Sequence, residues 1–161
     1  MLDSAGAIFF TDRIYGVALN VTQSPQVLRQ QSYRFRPSTG AVALIEAEIA
    51  VPNGITLSSD EKTLYITDTG VTNFTNLTSN VGPRFTYVTT GPKSIYAFEM
   101  VNSPAGKYLI NKRPIWYPQE CTTDRFHVAS NGFLVGATGL RVDVFNALRR
   151  ASGKNLDGFS D

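Results

Sequence analysis

Side chains able to carry chemistry are sparse in this 161-residue chain, and most of them carry oxygen. The single cysteine, Cys121, excludes an internal disulfide and a cysteine-built zinc site, and reads as a small buried hydrophobe. The single histidine, His127, falls inside an apolar run and out of phase with Asp124, so it reads as packed rather than catalytic. What remains is a set of oxygen donors beside turn formers. These are Asp12 with Tyr15 close behind it, Asn53 within Pro52-Asn53-Gly54, Asp68 after Thr67, and Asp124 between Thr123 and Arg125. Amide and carboxylate oxygens of this kind are hard donors, suited to polar ligands and hard cations. Each has a plainer alternative. Asn53 could be a turn residue, Asp124 a surface carboxylate, and Asp12, Asp68 and Tyr15 caps for loop amides.

The elements that must position these residues are short strands. Helical periodicity is nearly absent, with Val142–Arg150 the only weak candidate, and its mixed charge also suits a solvated edge. Strands are predicted at 7–11, 32–36, 41–49, 54–58, 63–67, 94–100, 108–116, 126–129, 133–136 and 141–145, each rich in Ile, Val, Phe, Tyr and Thr. Asp60-Glu61-Lys62 and Asn131-Gly132 read as hairpin turns. Tyr33, Phe35, Tyr96 and Phe98 alternate at period two and read as packing residues.

An internal repeat organises the strands. Leu2 to Asp12, with Ile8-Phe9-Phe10-Thr11-Asp12 at its end, returns as Leu57 to Asp68, with Leu64-Tyr65-Ile66-Thr67-Asp68. A more diverged copy runs from Val128 to Ala137. Each copy precedes a second matched strand, at Tyr33-Arg34-Phe35, Tyr96-Ala97-Phe98 and Asp143-Val144-Phe145. The unit is four antiparallel strands, a to d, a pattern that reads as a β-propeller. In such a blade the start of strand a and the end of strand b share one face. Asn53 and Asp124 open a strands there, Asp12 and Asp68 close b strands there, and the insertions 13–31 and 69–93 overhang it. The chain divides into 1–51 (strands b to d of one blade), 52–120 (a complete blade), 121–146 (a partial blade) and a polar tail at 147–161.

Composition narrows the partners. Lys and Arg number 15 against 13 Asp and Glu, a net charge of +2, and no basic stripe forms beyond Arg149-Arg150, which argues against nucleic acid. The most apolar stretch, Ala41 to Val51, is interrupted by Glu46 and Glu48, so no membrane span is expected. The first four residues lack the basic and apolar regions of a signal peptide, whereas sequons at Asn20, Asn73 and Asn76 hint at a secreted parent.

Ile8-Phe9-Phe10-Thr11-Asp12 with Tyr15-Gly16, Pro52-Asn53-Gly54-Ile55, Ser58 through Asp68, and Asp124 through Gly132 resemble the senescence marker protein/gluconolactonase family, which includes regucalcin and fungal lactonohydrolase-like proteins. The resemblance implies an all-β, six-bladed β-propeller with one divalent cation, usually Ca²⁺, at the channel mouth. It assigns Asn53 and Asp124 as metal ligands and makes Asp124 a general base as well. Asp12, Tyr15 and Asp68 fall on the rim, where they would contact a small lactone or sugar-like substrate.

Departures accompany the match. Arg125 stands where the family has Gly after the ligand Asp, and Thr123 where it has Pro. The family's ligand Glu and a substrate-facing Asn would both precede Met1. At 56 residues from Phe10 to Ile66 and 69 from Ile66 to Val135, the chain holds fewer than three blades. Two readings follow: a Ca²⁺-dependent lactone hydrolase, or a catalytically inactive truncated propeller with a structural or ligand-binding role. Open blade edges in either case favour self-association.

Overall fold

A computed structural model describes residues 1–18, 21–22, 24–75, 84–119, 121–139 and 141–146. The predicted tail at 147–161 and the sequons at Asn20 and Asn76 lie outside them.

The strands fall where their apolar runs lie. β1 (Ile8–Thr11), β2 (Ser32–Arg36) and β3 (Ala41–Glu46) form one antiparallel sheet in that order, with the short helix α1 (Tyr15–Ala18) between β1 and β2. The second sheet opens with β4 (Pro52–Leu57) and β5 (Thr63–Asp68). A two-stranded hairpin of β6 (Thr72–Thr75) and β7 (Arg84–Tyr87) follows, and then β8 (Ile95–Ser103) and β9 (Gly106–Trp116) complete the sheet in the order β4-β5-β8-β9. A third sheet, β10 (Phe126–Val128), β11 (Phe133–Thr138) and β12 (Arg141–Asn146), repeats the antiparallel pattern.

The middle sheet is sandwiched, and β5 shows why its sequence lacks polar alternation: both of its faces are covered. Leu64 and Ile66 point into a core with Ala7, Phe9, Ile49, Leu57 and Phe98. Tyr65 points the other way, into a core with Ile95, Ala97, Phe126, Leu134 and Phe145. Trp116 of β9 stacks on Phe145 of β12 with ring centres 4.7 Å apart. Both β1 and β10 pack against β4, which brings the ends of all three strands to one place.

Turn chemistry fixes the register. Gly132 takes φ +82° while the Asn131 side chain accepts the Phe133 amide at 3.2 Å. At the other predicted hairpin, Asp60 Oδ1 accepts from Ser58 Oγ at 2.6 Å and from the Lys62 amide at 3.1 Å.

On the face bearing these turns, the first two sheets are clasped. Arg34 of β2, only 8% exposed, donates through Nη1 to the Lys107 carbonyl (2.8 Å) and through Nη2 to the Ala105 carbonyl (3.2 Å). Gly106 between them has φ +113°, and a Cβ there would lie 2.3 Å from Nη1. Lys107 Nζ then bridges Asp3 Oδ2 (3.0 Å) and Glu61 Oε2 (3.1 Å).

Four local expectations are corrected. The weak helical alternative at Val142–Arg150 yields to the strand predicted at 141–145, which is β12: Val142 and Val144 are exposed and Phe145 is buried, the alternation of a strand, and residues 147–150 lie outside the described ones. The 69–93 insertion, for which no strand is predicted, carries the β6–β7 hairpin. His127 on β10 is exposed, because β10 buries Phe126 on the opposite face. Cys121 is half-buried with φ +56°, a turn residue rather than a core one.

Candidate functional site

At the start of β4, Asn53 sits between two predicted partners. Its Nδ2 donates to the Tyr15 phenol oxygen at 3.1 Å and to Asp124 Oδ1 in a short hydrogen bond. The backbone holds this pair in place. Thr11 Oγ1 at the end of β1 donates to the Asn53 carbonyl (2.5 Å), and Thr67 Oγ1 donates to the Asp124 carbonyl (3.1 Å) while accepting the Gly54 amide (2.7 Å). Gly54 is required by this closeness, since a Cβ there would stand 2.6 Å from the Asp124 carbonyl oxygen.

A residue that sequence reasoning missed completes the cluster. Arg13 Nη1 donates to Tyr15 Oη at 2.6 Å and to Thr69 Oγ1 at 2.7 Å, and its guanidinium lies 4.5 Å from the centre of the Tyr15 ring. Burial lowers the Arg13 pKa, against the favourable fields of Tyr15, Asp124 and Asp68. Burial raises that of Tyr15 despite the nearby guanidinium, so the phenol keeps its proton at neutral pH. A lone arginine in a loop has no period or motif to mark it; its adjacency to Asp12 was the only signal.

Thr11, Asp12, Arg13, Tyr15, Asn53 and Arg125 are among the residues walling an open cavity of about 450 Å³. Asp12 is on that wall, with Gln26 Nε2 donating to its Oδ2 at 3.2 Å. Asp124 is exposed beside it. Asp68 is not on the wall. It is 3% exposed and accepts the amides of Ala50 (3.2 Å), Val51 (3.1 Å) and Gly70 (3.0 Å), so its carboxylate organises loops rather than facing a ligand. Burial raises its pKa in spite of those three donors.

The types of donor here fit a hard cation, but their number falls short. Calcium takes six to eight oxygens, and the two side chains here are one amide and one carboxylate. Among the described residues no group of three His, Cys, Asp or Glu converges on a point. Asn53 turns its nitrogen, not its oxygen, toward Asp124, and the guanidinium-bearing residues Arg13 and Arg125 line the same cavity.

Comparison with known proteins assigns the family. Residues 1–80 match the SMP-30/gluconolactonase/LRE-like region. A lactonohydrolase of Aspergillus oryzae, oryL, is 38% identical over 147 residues, covering 89% of this chain and 33% of that protein. The chain belongs to the SMP-30/gluconolactonase/LRE-like family. A second lactonohydrolase of the same organism, oryH, is 38% identical over 128 residues, 78% of this chain and 27% of its own length. This family member thus spans about a third of the curated relatives it matches. Its fold agrees: a gluconolactonase structure from Xanthomonas campestris superposes with a TM-score of 0.65 at 23% identity, over 91% of this chain and 42% of that one. A luciferin-regenerating enzyme does so with a TM-score of 0.54 at 18% identity, over 74% and 33%. The three sheets are consecutive blades of an all-β propeller, and the chain is a part of that propeller.

Proposed function

We propose that this chain carries the reaction-face residues of a lactone hydrolase, in which water opens a cyclic ester to a hydroxy acid. The observation that supports it best is the convergence of Asn53, Tyr15 and Asp124 at one end of β4, within a family whose matched relatives are lactonohydrolases. In this reading Asp124, exposed at the rim, takes the proton of the attacking water, and Asn53 orients it. Tyr15, held protonated, is the O–H donor beside the lactone, and Arg13 fixes its ring and oxygen. The water oxygen bonds to the acyl carbon, the ring C–O bond of that carbon breaks, and the leaving alkoxide takes the proton from Asp124, which regenerates the carboxylate. The new carboxylic acid gives up its proton to solvent.

Asn53 and Asp124 would be two ligands of a divalent cation, calcium by preference, with the remaining oxygens supplied from outside the described residues. Such an ion, when bound, supplies charge that polarises a lactone carbonyl. Asp12 is the rim group placed to contact substrate hydroxyls.

The experiment is lactone hydrolysis by the chain, followed by pH-stat with an aldonolactone over a calcium series, for the wild type, Asn53→Ala and Asp124→Ala. Turnover lost in both variants supports the reading. No turnover at any calcium concentration supports the alternative, a non-catalytic part of a propeller.

A further inference from the structure

Beside the polar cavity lies a second one of different chemistry. It measures about 430 Å³ and is walled by Phe10, Ile14, Val17, Pro25, Val27 and Leu28, with Gly16, Thr22, Ser24 and Gln26 at its margins. The two cavities share Asp12 and Arg13, which therefore form a partition with polar groups on one side and mostly carbon on the other.

The apolar wall belongs to the insertion between β1 and β2, and local hydrogen bonds shape it. The Gly16 carbonyl accepts the amides of Val21 (2.8 Å) and Thr22 (3.0 Å). Thr22 Oγ1 accepts the Ser24 amide at 3.1 Å. The Asp12 amide donates to the Gln31 carbonyl at 3.0 Å, and Tyr33 Oη donates to the Arg29 carbonyl at 3.0 Å, so both ends of the insertion are tied to the first sheet. Within this frame Val27 is 94% exposed. A large aliphatic side chain displayed at the rim of a mostly apolar cavity, next to a reaction site, gains nothing from water and would gain from covering.

We propose that this second cavity receives a hydrocarbon substituent of the substrate, so that the site takes lactones bearing an alkyl chain, with the ring in the polar cavity and the chain across the Asp12–Arg13 partition. This rests on the lactone reading above and specifies its substrate class. The occupant is tied to the substrate because the two cavities adjoin, with Asp12 and Arg13 common to both walls, so that a chain leaving a ring in one has only that partition to cross. A polyhydroxylated lactone satisfies the polar cavity alone and leaves the apolar one wet.

The test is a binding series on the full chain, by calorimetry or by two-dimensional NMR of labelled protein. It uses γ-lactones with unbranched alkyl substituents of increasing length and an aldonolactone for reference. Each methylene transferred from water is expected to tighten binding about fourfold until the cavity is full. Val27→Ser and Leu28→Ser should flatten this dependence while leaving affinity for the aldonolactone unchanged. Resonances of Val17, Val27 and Leu28 should shift with the long-chain lactones only. A series independent of chain length, with the aldonolactone still bound, overturns the alkyl inference and leaves the lactone reading standing. An equal gain with alkyl carboxylic acids lacking a lactone also overturns it, because the cavity would then be a general apolar sink. No binding of any lactone, alkyl or hydroxylated, overturns both.

Discussion

Gly54 and Asp124 lie so close that a Cβ on the first would press against the backbone carbonyl of the second, at 2.6 Å. The start of one blade is thus fitted against the start of the next with no room for a side chain, and the Asn53–Asp124 hydrogen bond depends on that fit. Gly54→Ala should therefore displace the 124 carbonyl, which Thr67 Oγ1 also holds, and lower stability by about 1–3 kcal/mol. Urea denaturation measures this. Wild-type stability in the variant would mean that the two blades approach less closely than the structure has them.

Tyr15→Phe isolates the phenol oxygen. The ring stays under the Arg13 guanidinium, but the acceptor for both Arg13 Nη1 and Asn53 Nδ2 is gone. A loss of about 1 kcal/mol in stability is expected, with a larger proportional loss in kcat than in KM if Tyr15 donates to the reacting lactone. Equal kinetics for the two proteins would remove Tyr15 from the chemistry.

The Lys107 cluster sets a pH window for stability. Burial opposes ionisation of Asp3, yet Lys107 and the amides of Ala7 and Ala5 outweigh it and hold the carboxyl below its ordinary value of 3.8. Glu61 is likewise held below 4.5, against burial, by Lys107 and Ser4, while its two partners raise Lys107 above 10.5 against burial. Lowered carboxyl values stabilise the fold above their ordinary pKa and lose that contribution as pH falls through the folded values. The raised Lys107 contributes below 10.5 and loses it as pH rises through its own. Lys107→Met should thus cost about 2 kcal/mol at neutral pH, with the difference from wild type shrinking below about pH 4. Thermal melts at pH 3 and pH 7 check the trend. A difference that grows on acidification would reverse it.

Trp116 is the chain's one tryptophan, and its stack on Phe145 makes it a reporter of the junction between the second and third sheets. Phe145, 5% exposed, is part of the core around Tyr65 and Leu134. Phe145→Ala should cost about 3–5 kcal/mol and shift Trp116 emission to the red before unfolding begins. Unchanged emission in the folded variant would place the indole elsewhere.

How far the sequence could be read depended on whether a feature repeats. Leu64-Tyr65-Ile66-Thr67-Asp68 mirrors Ile8-Phe9-Phe10-Thr11-Asp12, and that echo located the strands to within a few residues. Asn53 and Asp124 followed from strand order, and the structure brings them into contact. Arg13 did not, because its role depends on Thr69 and Tyr15, which no local pattern joins to it. Asp68 resembles Asp12 in the repeat, yet one is buried under three amides and the other is half-exposed on a cavity wall. Their difference comes from the unlike insertions that follow, 13–31 and 69–93. The β6–β7 hairpin escaped notice because Thr72–Thr75 is too short and polar to display alternation.

The clasp of Arg34 over the Ala105–Lys107 turn has a bearing on synthesis. Arg34 and Lys107 lie 73 positions apart, yet among the described residues the buried guanidinium finds its carbonyl partners in that later turn. A nascent chain that has passed the ribosome only as far as β8 can pair β1, β2 and β3, but its arginine must stay in water. The β1–β3 sheet therefore completes its buried contacts only once the β8–β9 turn has emerged, and the order of folding is coupled to the order of translation.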